Sequence, residues 1–388
     1  MSTLLTRRAP GRTSARPALR TAAVVAALAL TLSACGGGSD EADTPEGGPD
    51  SGTGSAETDF SGQTLTVAAY AGSWGESFGA AFVEPFEAAT GATVELVPGG
   101  PADWLTALRS SAGGTPAYDV VAFTPNVIPS AVAGGVVAEL DTDRIADFAD
   151  LNPILVEQST IDGAQYGVPL TVGATGIAYR SDLVTDAPTD WSDLWDPALC
   201  GHLGISPLTF NTGVEFLAGV INENGGSISE PADVDAAFDQ LESLADCASA
   251  FPADGTSVET TLVGGDAWAA AHWDGRAFVQ QNNGEPIGFA YPESGSVGAL
   301  TSFFVAEGTE QSDLAYEFLN YLASPEYQPT FSEGTWYAAS NDTNVYSEEF
   351  SAQIQHGPGA YDDFVWVDYP VITPQLGDLQ ARWQEIFG

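Results

Sequence analysis

The chain has 388 residues, 44% of them hydrophobic, and a chain of this length usually folds around more than one core, so two lobes are expected. All 10 basic residues are arginines and stand against 53 acidic ones, which gives a formal net charge of −43. Nucleic acid and anionic membrane surfaces repel such a body, so neither is expected as a direct partner.

The first 34 residues predict an export signal that is removed. Arginines precede an apolar run over residues 22–30, which is shorter than the ~20 residues of a membrane-spanning helix. Leu32-Ser33-Ala34-Cys35 follows it and looks like a bacterial lipobox, in which cleavage precedes a cysteine that then receives lipid. We therefore expect a signal peptide at 1–34 and lipidation of Cys35, with an ordinary signal peptide and an incidental cysteine as the alternative.

Residues 35–60 are rich in Gly, Ser, Asp, Glu, Thr and Pro and show no apolar periodicity. Such a segment buries too little apolar surface to offset the entropy of ordering it, so it predicts a disordered tether. Signal, lipidated cysteine and tether together place the protein outside the cytoplasm, anchored to the outer face of the cytoplasmic membrane.

Two further cysteines, Cys200 and Cys247, form an even pair in an oxidising compartment, which favours a disulfide. The alternative, a metal site, has little support because the three histidines are scattered and none lies in an H-E-x-x-H motif. No metal or cofactor is expected.

Strands and helices alternate at the start of the body. Residues 65–70, 93–97 and 118–123 read as strands with helices between them, which predicts a parallel, doubly wound sheet. Ligands of such sheets bind beyond the carboxyl ends of the strands. The candidate binding residues at these ends are Tyr70, Ser73, Trp74, Phe123 and Thr124.

The first helix repeats aromatic residues every four positions, at Trp74, Phe78, Phe82 and Phe86, which predicts one buried face. Trp74 is thus a candidate for the core as well as for the cleft. We favour the cleft because Trp74 directly follows the turn at Gly72-Ser73.

Two uncharged stretches, 166–179 and 298–305, read as strands that cross between the lobes. In the first, two β-prone halves are joined by residues 173–176, whose glycines permit backbone angles that other residues avoid. We interpret residues 173–176 as the hinge. Elsewhere the sequence predicts a short helix at 191–197, a helix from 211 with Asn211 or Thr212 as its N-cap, strands at 204–206, 287–291 and before Trp273, and helices near 233–245, 314–322 and 376–387.

Several motifs in this order resemble the spermidine/putrescine-type extracellular solute-binding proteins of ABC importers. They are Tyr70-Ala71-Gly72-Ser73-Trp74-Gly75, Pro85-Phe86-Glu87-Ala88-Ala89-Thr90-Gly91, Tyr118-Asp119-Val120-Val121, Gly173-Ala174-Thr175-Gly176-Ile177, Trp191-Ser192-Asp193-Leu194-Trp195 and Trp273-Asp274-Gly275. The resemblance implies a type II fold of two α/β lobes, each a doubly wound sheet, joined by crossing strands. We assign 61–172 plus 300–341 to lobe 1 and 173–299 plus 342–388 to lobe 2.

The polyamine receptors of this family hold a cation between aromatic rings and carboxylates, both of which stabilise ammonium groups. The resemblance carries the aromatic part over to Trp74, Trp273 and Tyr337. The acidic positions carry over poorly: Thr301 lies where the family has an acid before the return crossing, and residues 209–212 are neutral where it has an acidic pair.

Four other residues are candidates for the cleft. Asp274 and Asp368 could supply replacement negative charge, although Asp274 is equally a turn residue. Trp336 lies in a loop, where it either binds solute or covers a lobe. Asn211 is a helix cap or a ligand contact, and an exposed helix N-terminus would also accept a carboxylate.

The resemblance implies a monomeric, lipid-anchored receptor that binds a small, polar, amine-bearing solute of polyamine type and delivers it to a membrane permease. The alternatives are a zwitterionic or amino-acid-like solute, ferric ion, or a secreted hydrolase. We expect no enzyme, because the sequence has no G-x-S-x-G elbow and no Walker loop.

Overall fold

The computed structural model describes residues 59–388, so the predicted signal peptide and Cys35 lie outside the described residues. The predicted tether over residues 35–60 includes a residue that belongs to the folded body. Phe60 is buried in the first core, and its backbone N–H donates to the carbonyl of Thr90 at 2.9 Å. The folded body therefore already includes Phe60.

Strands and helices alternate along the described chain. The strands are β1 Thr64–Ala69, β2 Thr93–Pro98, β3 Val120–Phe123, β4 Thr160–Ile161, β5 Ala164–Gln165, β6 Gly167–Arg180, β7 Leu203–Gly204, β8 Ala248–Ala250, β9 Ala269–Trp273, β10 Ile287–Ala290, β11 Val297–Val305 and β12 Ala338–Ala339. The α-helices are α1 Gly72–Phe78, α2 Glu84–Thr90, α3 Pro101–Ser111, α4 Ile128–Ala133, α5 Pro153–Glu157, α6 Asn211–Glu223, α7 Pro231–Leu241, α8 Gly255–Gly264, α9 Asp274–Asn282, α10 Ser312–Ala323, α11 Gln328–Thr335, α12 Glu348–Ser351, α13 Tyr369–Ile372 and α14 Leu376–Phe387.

The first three strands form the predicted parallel sheet. β1 pairs with β2 on one side and with β3 on the other, both parallel, and helices α1 to α3 connect them. The carboxyl ends of β1 and β3 therefore lie at the same edge of the sheet, where ligands of such folds bind.

Two long strands cross the molecule, as predicted. β6 has 14 residues, and β11 pairs with it antiparallel from Val297 opposite Thr175 to Phe304 opposite Gly167. β11 also pairs with β3, while the far half of β6 pairs with β9 and β10. One hydrogen-bonded sheet of order β2-β1-β3-β11-β6-β9-β7-β8 thus runs continuously through both crossing strands.

Gly173 and Gly176 of β6 allow other groups to pack closely against the strand. Neither Gly173 nor Gly176 has a positive φ, so the sequence argument from unusual backbone angles was wrong for these two. A Cβ at Gly173 would lie 2.7 Å from the ring of Tyr337, and one at Gly176 would lie 2.5 Å from the carbonyl oxygen of Ala290. These glycines let other groups approach the strand, and their role as a hinge stays a prediction.

Two large cores flank the crossing strands. The first draws on residues 60–170 and 303–331 and includes stacked aromatic rings, with Phe78 and Phe303 5.2 Å apart. The second draws on residues 177–297 and 367–387 and surrounds α6. Gly79–Val83 forms a π-helical turn between α1 and α2, and Pro85 lies in the first turn of α2. The lobe boundaries at 172 and 299 stay predictions.

Cys200 and Cys247 form a disulfide, with their Cα atoms 4.2 Å apart. It closes a loop whose ends lie 47 residues apart in sequence, and this covalent link is worth about 4 kcal/mol on the chain-entropy account. Among residues 59–388, no helix is long and apolar enough to cross a membrane.

Candidate functional site

A cavity of about 400 Å³ lies where the two crossing strands meet the carboxyl ends of the first sheet. Its lining comes from the loops after β1 and β3, the middle of β6 and β11, the start of α6 and the junction of β9 with α9. The lining residues are Tyr70, Ala71, Trp74, Pro101, Ala102, Thr124, Pro125, Asn126, Val127, Thr171, Gly173, Thr209, Phe210, Asn211, Glu215, Trp273, Arg276, Gly298, Ala299, Leu300, Thr301, Tyr337 and Tyr369. We call the first-sheet side, with Tyr70 and Trp74, the first wall, and the α6 and α9 side, with Glu215, Trp273 and Arg276, the second wall.

The first wall rests on the first core. Trp74 lies 5.1 Å from Phe78 in a stacked arrangement and 5.0 Å from Phe331 edge to face, while Tyr70 contacts it edge to face at 5.0 Å. Trp74 thus belongs to the core and to the cavity at once, so both sequence interpretations of this residue hold.

Glu215 is the acidic residue of the cavity. Its side chain lies on α6, one turn after Asn211, and only 3% of the residue is exposed. The hydroxyl of Thr175 and the indole N–H of Trp273 both donate to Oε2, at 2.7 and 3.0 Å. Burial raises the pKa of Glu215 to about 7 despite these two donors.

The second oxygen of Glu215 is available to a ligand. Oε1 has no hydrogen-bond partner within residues 59–388, whereas Oε2 has two donors. This oxygen keeps accessible surface at the cavity, so a donor from a bound solute can reach it.

Aromatic rings surround this carboxylate. Trp273 contacts Phe210 edge to face at 5.3 Å, and Tyr337 and Tyr369 line the same cavity. Ring faces carry partial negative charge and attract cations within about 6 Å. The carboxylate and rings together make this part of the second wall suited to a cation.

One positively charged side chain also lines the cavity. Arg276 lies in the first turn of α9, and its Nη1 donates to Oε1 of Glu259 at 2.8 Å. His272 Nε2 lies 3.9 Å from the same Glu259 oxygen. His272 is buried, and burial holds its pKa below the usual range, which favours the neutral imidazole.

A side-chain hydrogen bond joins two lining residues that come from opposite sides of the cavity. Asn126, in the loop after β3, donates from Nδ2 to Oδ1 of Asn211 at 3.0 Å. Neither Asn211 nor Thr212 caps α6, because Phe210 occupies the N-cap position without a side-chain bond. The prediction of an Asn211 or Thr212 cap was wrong, and the Asn211 amide instead faces the opposite wall.

Seven of the twelve predicted binding residues line this one cavity: Tyr70, Trp74, Thr124, Asn211, Trp273, Thr301 and Tyr337. Whether they bind solute stays a prediction. They come from α1 and α6, from the loops after β1 and β3, from β9 and β11, and from the residue before β12.

Four predicted residues lie away from the lining. Ser73 is exposed on α1, and Phe123 is fully buried in the first core, as are all four residues of β3. Trp336 stacks on Phe350 at 5.8 Å. Asp368 is exposed and caps α13 by accepting the backbone N–H of Val371 at 3.2 Å. The structure thus does not bring these four side chains to the cavity.

The fifth, Asp274, lies behind the cavity wall, with 3% of the residue exposed. The backbone N–H groups of Gly275 and Ala174 and the hydroxyl of Tyr291 donate to its carboxyl group. Burial nevertheless raises its pKa to about 7. Asp274 therefore ties α9 to β6 and does not supply charge to the lining.

The sequence argument missed Glu215, Arg276 and Tyr369. Glu215 follows Asn211 by four residues, so on a helix the two share one face, and this spacing could have identified it. Arg276 follows Trp273-Asp274-Gly275 directly. Tyr369 had no such signal, because only the path of the C-terminal segment brings it to the cavity.

Within the described range, no group of three or more His, Cys, Asp and Glu residues is placed to hold a metal ion.

A comparison with protein families matches residues 81–358 to the family described as bacterial extracellular solute-binding protein. Among curated proteins, the chain is similar to the spermidine/putrescine-binding periplasmic protein of Salmonella typhimurium, with 23% identity over 274 residues, which covers 70% of this chain and 76% of that protein. It is also similar to the putrescine/agmatine-binding protein of Pseudomonas aeruginosa, with 27% identity over 267 residues, covering 64% and 71%.

Among solved structures, an extracellular solute-binding protein of Bordetella parapertussis superposes with a TM-score of 0.72 at 25% identity and covers 84% of this chain and 99% of that one. The predicted two-lobed α/β fold of type II is thereby confirmed. Matches of this kind are to solute-binding proteins of ABC transporters and not to enzymes.

Proposed function

The chain belongs to the bacterial extracellular solute-binding protein family, and from that premise we propose that it is the receptor of an ABC importer for a small amine-bearing solute. The ammonium group of the solute binds Oε1 of Glu215 and lies among the rings of Trp273, Tyr337 and Tyr369.

The observation that carries this proposal is the asymmetry of the Glu215 carboxylate. One oxygen is held by two donors, which fixes the orientation of the group, and the other has no partner within the described range. An ammonium group offers three donors and a positive charge, so it satisfies this oxygen and offsets the burial of the charge.

The solutes of two relatives support an amine. The Salmonella protein binds spermidine and putrescine and the Pseudomonas protein putrescine and agmatine, and all three of these solutes are amines. Identities of 23% and 27% leave room for a different solute within this class.

Binding would act through the relative populations of open and closed forms. The first wall offers neutral aromatic surface and the second wall offers charge, so a solute gains both sets of contacts only when the cleft is closed. The difference in affinity between the two forms then drives closure. The closed receptor would deliver the solute to a membrane permease.

We further propose that a lipid on Cys35 holds the receptor at the outer face of the cytoplasmic membrane. The support is the lipobox-like Leu32-Ser33-Ala34-Cys35 after an apolar run. Two acyl chains suffice for stable anchoring where one does not.

The experiment is a thermal-shift and tryptophan-fluorescence screen of the folded body against amines, amino acids, betaines, sugars and ferric ion. We expect at least one amine to raise the melting temperature, and the Glu215→Gln variant to bind that amine at least about a hundredfold more weakly, as expected when a buried charge loses its partner. Gln keeps the size of the side chain, so the fold should persist.

Stabilisation by sugars or ferric ion alone, or an amine that binds Glu215→Gln as tightly as the wild type, would refute the proposal.

A further inference from the structure

The charged side chains of the cavity form a pair of opposite sign. Among Asp, Glu, Lys, Arg and His, the lining residues within 59–388 include only Glu215 and Arg276. Both belong to the second wall, Glu215 from α6 and Arg276 from α9. A ligand that satisfied both would itself carry one positive and one negative group.

The guanidinium of Arg276 has N–H donors that are not used among residues 59–388. Nη1 donates to Glu259, but Nη2, with two N–H groups, has no partner within the described residues. The side chain is 41% exposed and lines the cavity. A planar guanidinium with a free edge is well matched to a carboxylate, which it can bind through two parallel hydrogen bonds.

Glu259 holds this guanidinium in place through one hydrogen bond and leaves its other N–H groups available to a ligand. Its side chain is 17% exposed and lies between Arg276 and the buried His272. Because one contact is already fixed, Arg276 loses less rotamer freedom when it binds a second carboxylate.

A diamine fits this cavity poorly. With one ammonium on Glu215, its second ammonium would find no other carboxylate in the described lining and would meet the positive Arg276. Asp274 does not help, because its carboxyl group lies behind the wall and already accepts three hydrogen bonds. The acidic surface beyond the cavity is screened over about 10 Å at ordinary salt. The repulsion between Arg276 and the second ammonium group of a diamine therefore outweighs the attraction of that surface.

We infer that the solute is an amino acid-like zwitterion, with its ammonium group on Glu215 and its carboxylate on Nη2 of Arg276, and that Arg276 selects against diamines. This inference rests on the proposed function, because it takes the ammonium site at Glu215 as given.

The test compares solutes with the same carbon chain. Affinities are measured by calorimetry for ω-amino acids from β-alanine to ε-aminocaproate, for the diamines of the same lengths, including putrescine, and for the matching monoamines, including butylamine. We expect one ω-amino acid to bind at least tenfold more tightly than its diamine. In Arg276→Gln, that amino acid should lose at least tenfold in affinity, while the monoamine of the same length changes less than about threefold.

Two control variants separate recognition from structure. Glu259→Gln removes the partner of Arg276 but keeps the guanidinium, so it should retain the preference for the amino acid. Arg382→Gln removes an arginine that pairs with Asp235 away from the cavity and should change nothing in binding.

A diamine that binds as tightly as the amino acid, or an equal loss for amino acid and monoamine in Arg276→Gln, would overturn the inference. If diamines bind and Glu215→Gln abolishes their binding, the proposed function stands and only the inference fails. If no amine of the three series binds, both fail.

Discussion

The two walls of the cavity differ in charge and in what supports them. The first wall presents Tyr70 and Trp74, which are neutral and rest on the packed rings of the first core. The second wall presents Glu215 and Arg276, each held by a small number of side-chain hydrogen bonds. The two walls thus make different contacts with the solute. The second wall binds its charged groups, and the first wall adds aromatic contacts when the cleft closes.

This difference predicts different consequences for the two tryptophans. Trp273 contributes its N–H to Glu215 and its ring to the cavity, whereas Trp74 contributes much of its surface to the core. Substitution of Trp273 in the second wall should therefore change affinity more than stability. Substitution of Trp74 in the first wall should change stability more than affinity.

Of the two tryptophan substitutions, Trp273→Ala should give the larger loss of affinity, at least tenfold, which is ~1.4 kcal/mol. It removes both a ring that can contact the ammonium group and a donor that orients the carboxylate of Glu215. The measurement is calorimetric titration with the amine found in the screen. Trp273→Phe keeps a ring without the N–H and should fall between the wild type and Trp273→Ala. Unfolding of the Ala variant with unchanged affinity would show that Trp273 is a core residue.

A change of pH should also change the affinity for the amine, by a factor no larger than the one expected for Trp273→Ala. Burial raises the pKa of Glu215 to about 7, and only the ionised carboxylate pairs with an ammonium group. Affinity should therefore be about tenfold weaker one pH unit below this pKa than one unit above it. In Glu215→Gln this dependence should vanish, and a dependence that survives in the variant would assign the titration to another group.

The stability of the free protein should respond to pH with the opposite sign. Because the folded pKa of Glu215 lies above its ordinary value of 4.5, its contribution to stability is fully present below that value and is lost as the pH rises through about 7. Asp274 contributes in the same direction, so the wild type must be compared with Glu215→Gln.

Trp74→Ala should have the smallest effect on affinity, about threefold, and the largest on stability, about 3 kcal/mol. The cavity left against Phe78, Phe303 and Phe331 accounts for the loss of stability. Urea unfolding gives the stability, and titration of the folded variant gives the affinity. Equal losses of affinity in the two tryptophan variants would remove the distinction between the walls.

Much of the fold follows from local patterns in the sequence. The alternation of strands and helices before residue 124 predicted the parallel sheet, and the two uncharged stretches predicted β6 and β11. These signals are strong because buried strands must be apolar along their length. The reason for glycine at 173 and 176 was misread, because the groups that crowd these positions, Tyr337 and Ala290, are distant in sequence.

The site was harder to predict, because its composition depends on which helix face meets the cavity. The neutral run at residues 209–212 suggested a wall without acid, yet one further turn of α6 brings in Glu215. Conversely, Asp274 and Asp368 carry charge in the right part of the chain, but one is buried behind the wall and the other caps a helix.

The most direct test of the central claim, that an ammonium group binds the ionised carboxylate of Glu215, is the number of protons released when the amine binds. Calorimetry in buffers of different ionisation enthalpy measures this number. Because Glu215 is about half protonated near pH 7, binding there should release about half a proton from the wild type and none from Glu215→Gln. The ammonium group, with a pKa near 10, keeps its own proton. Binding without proton release, or equal release from both proteins, would contradict the account.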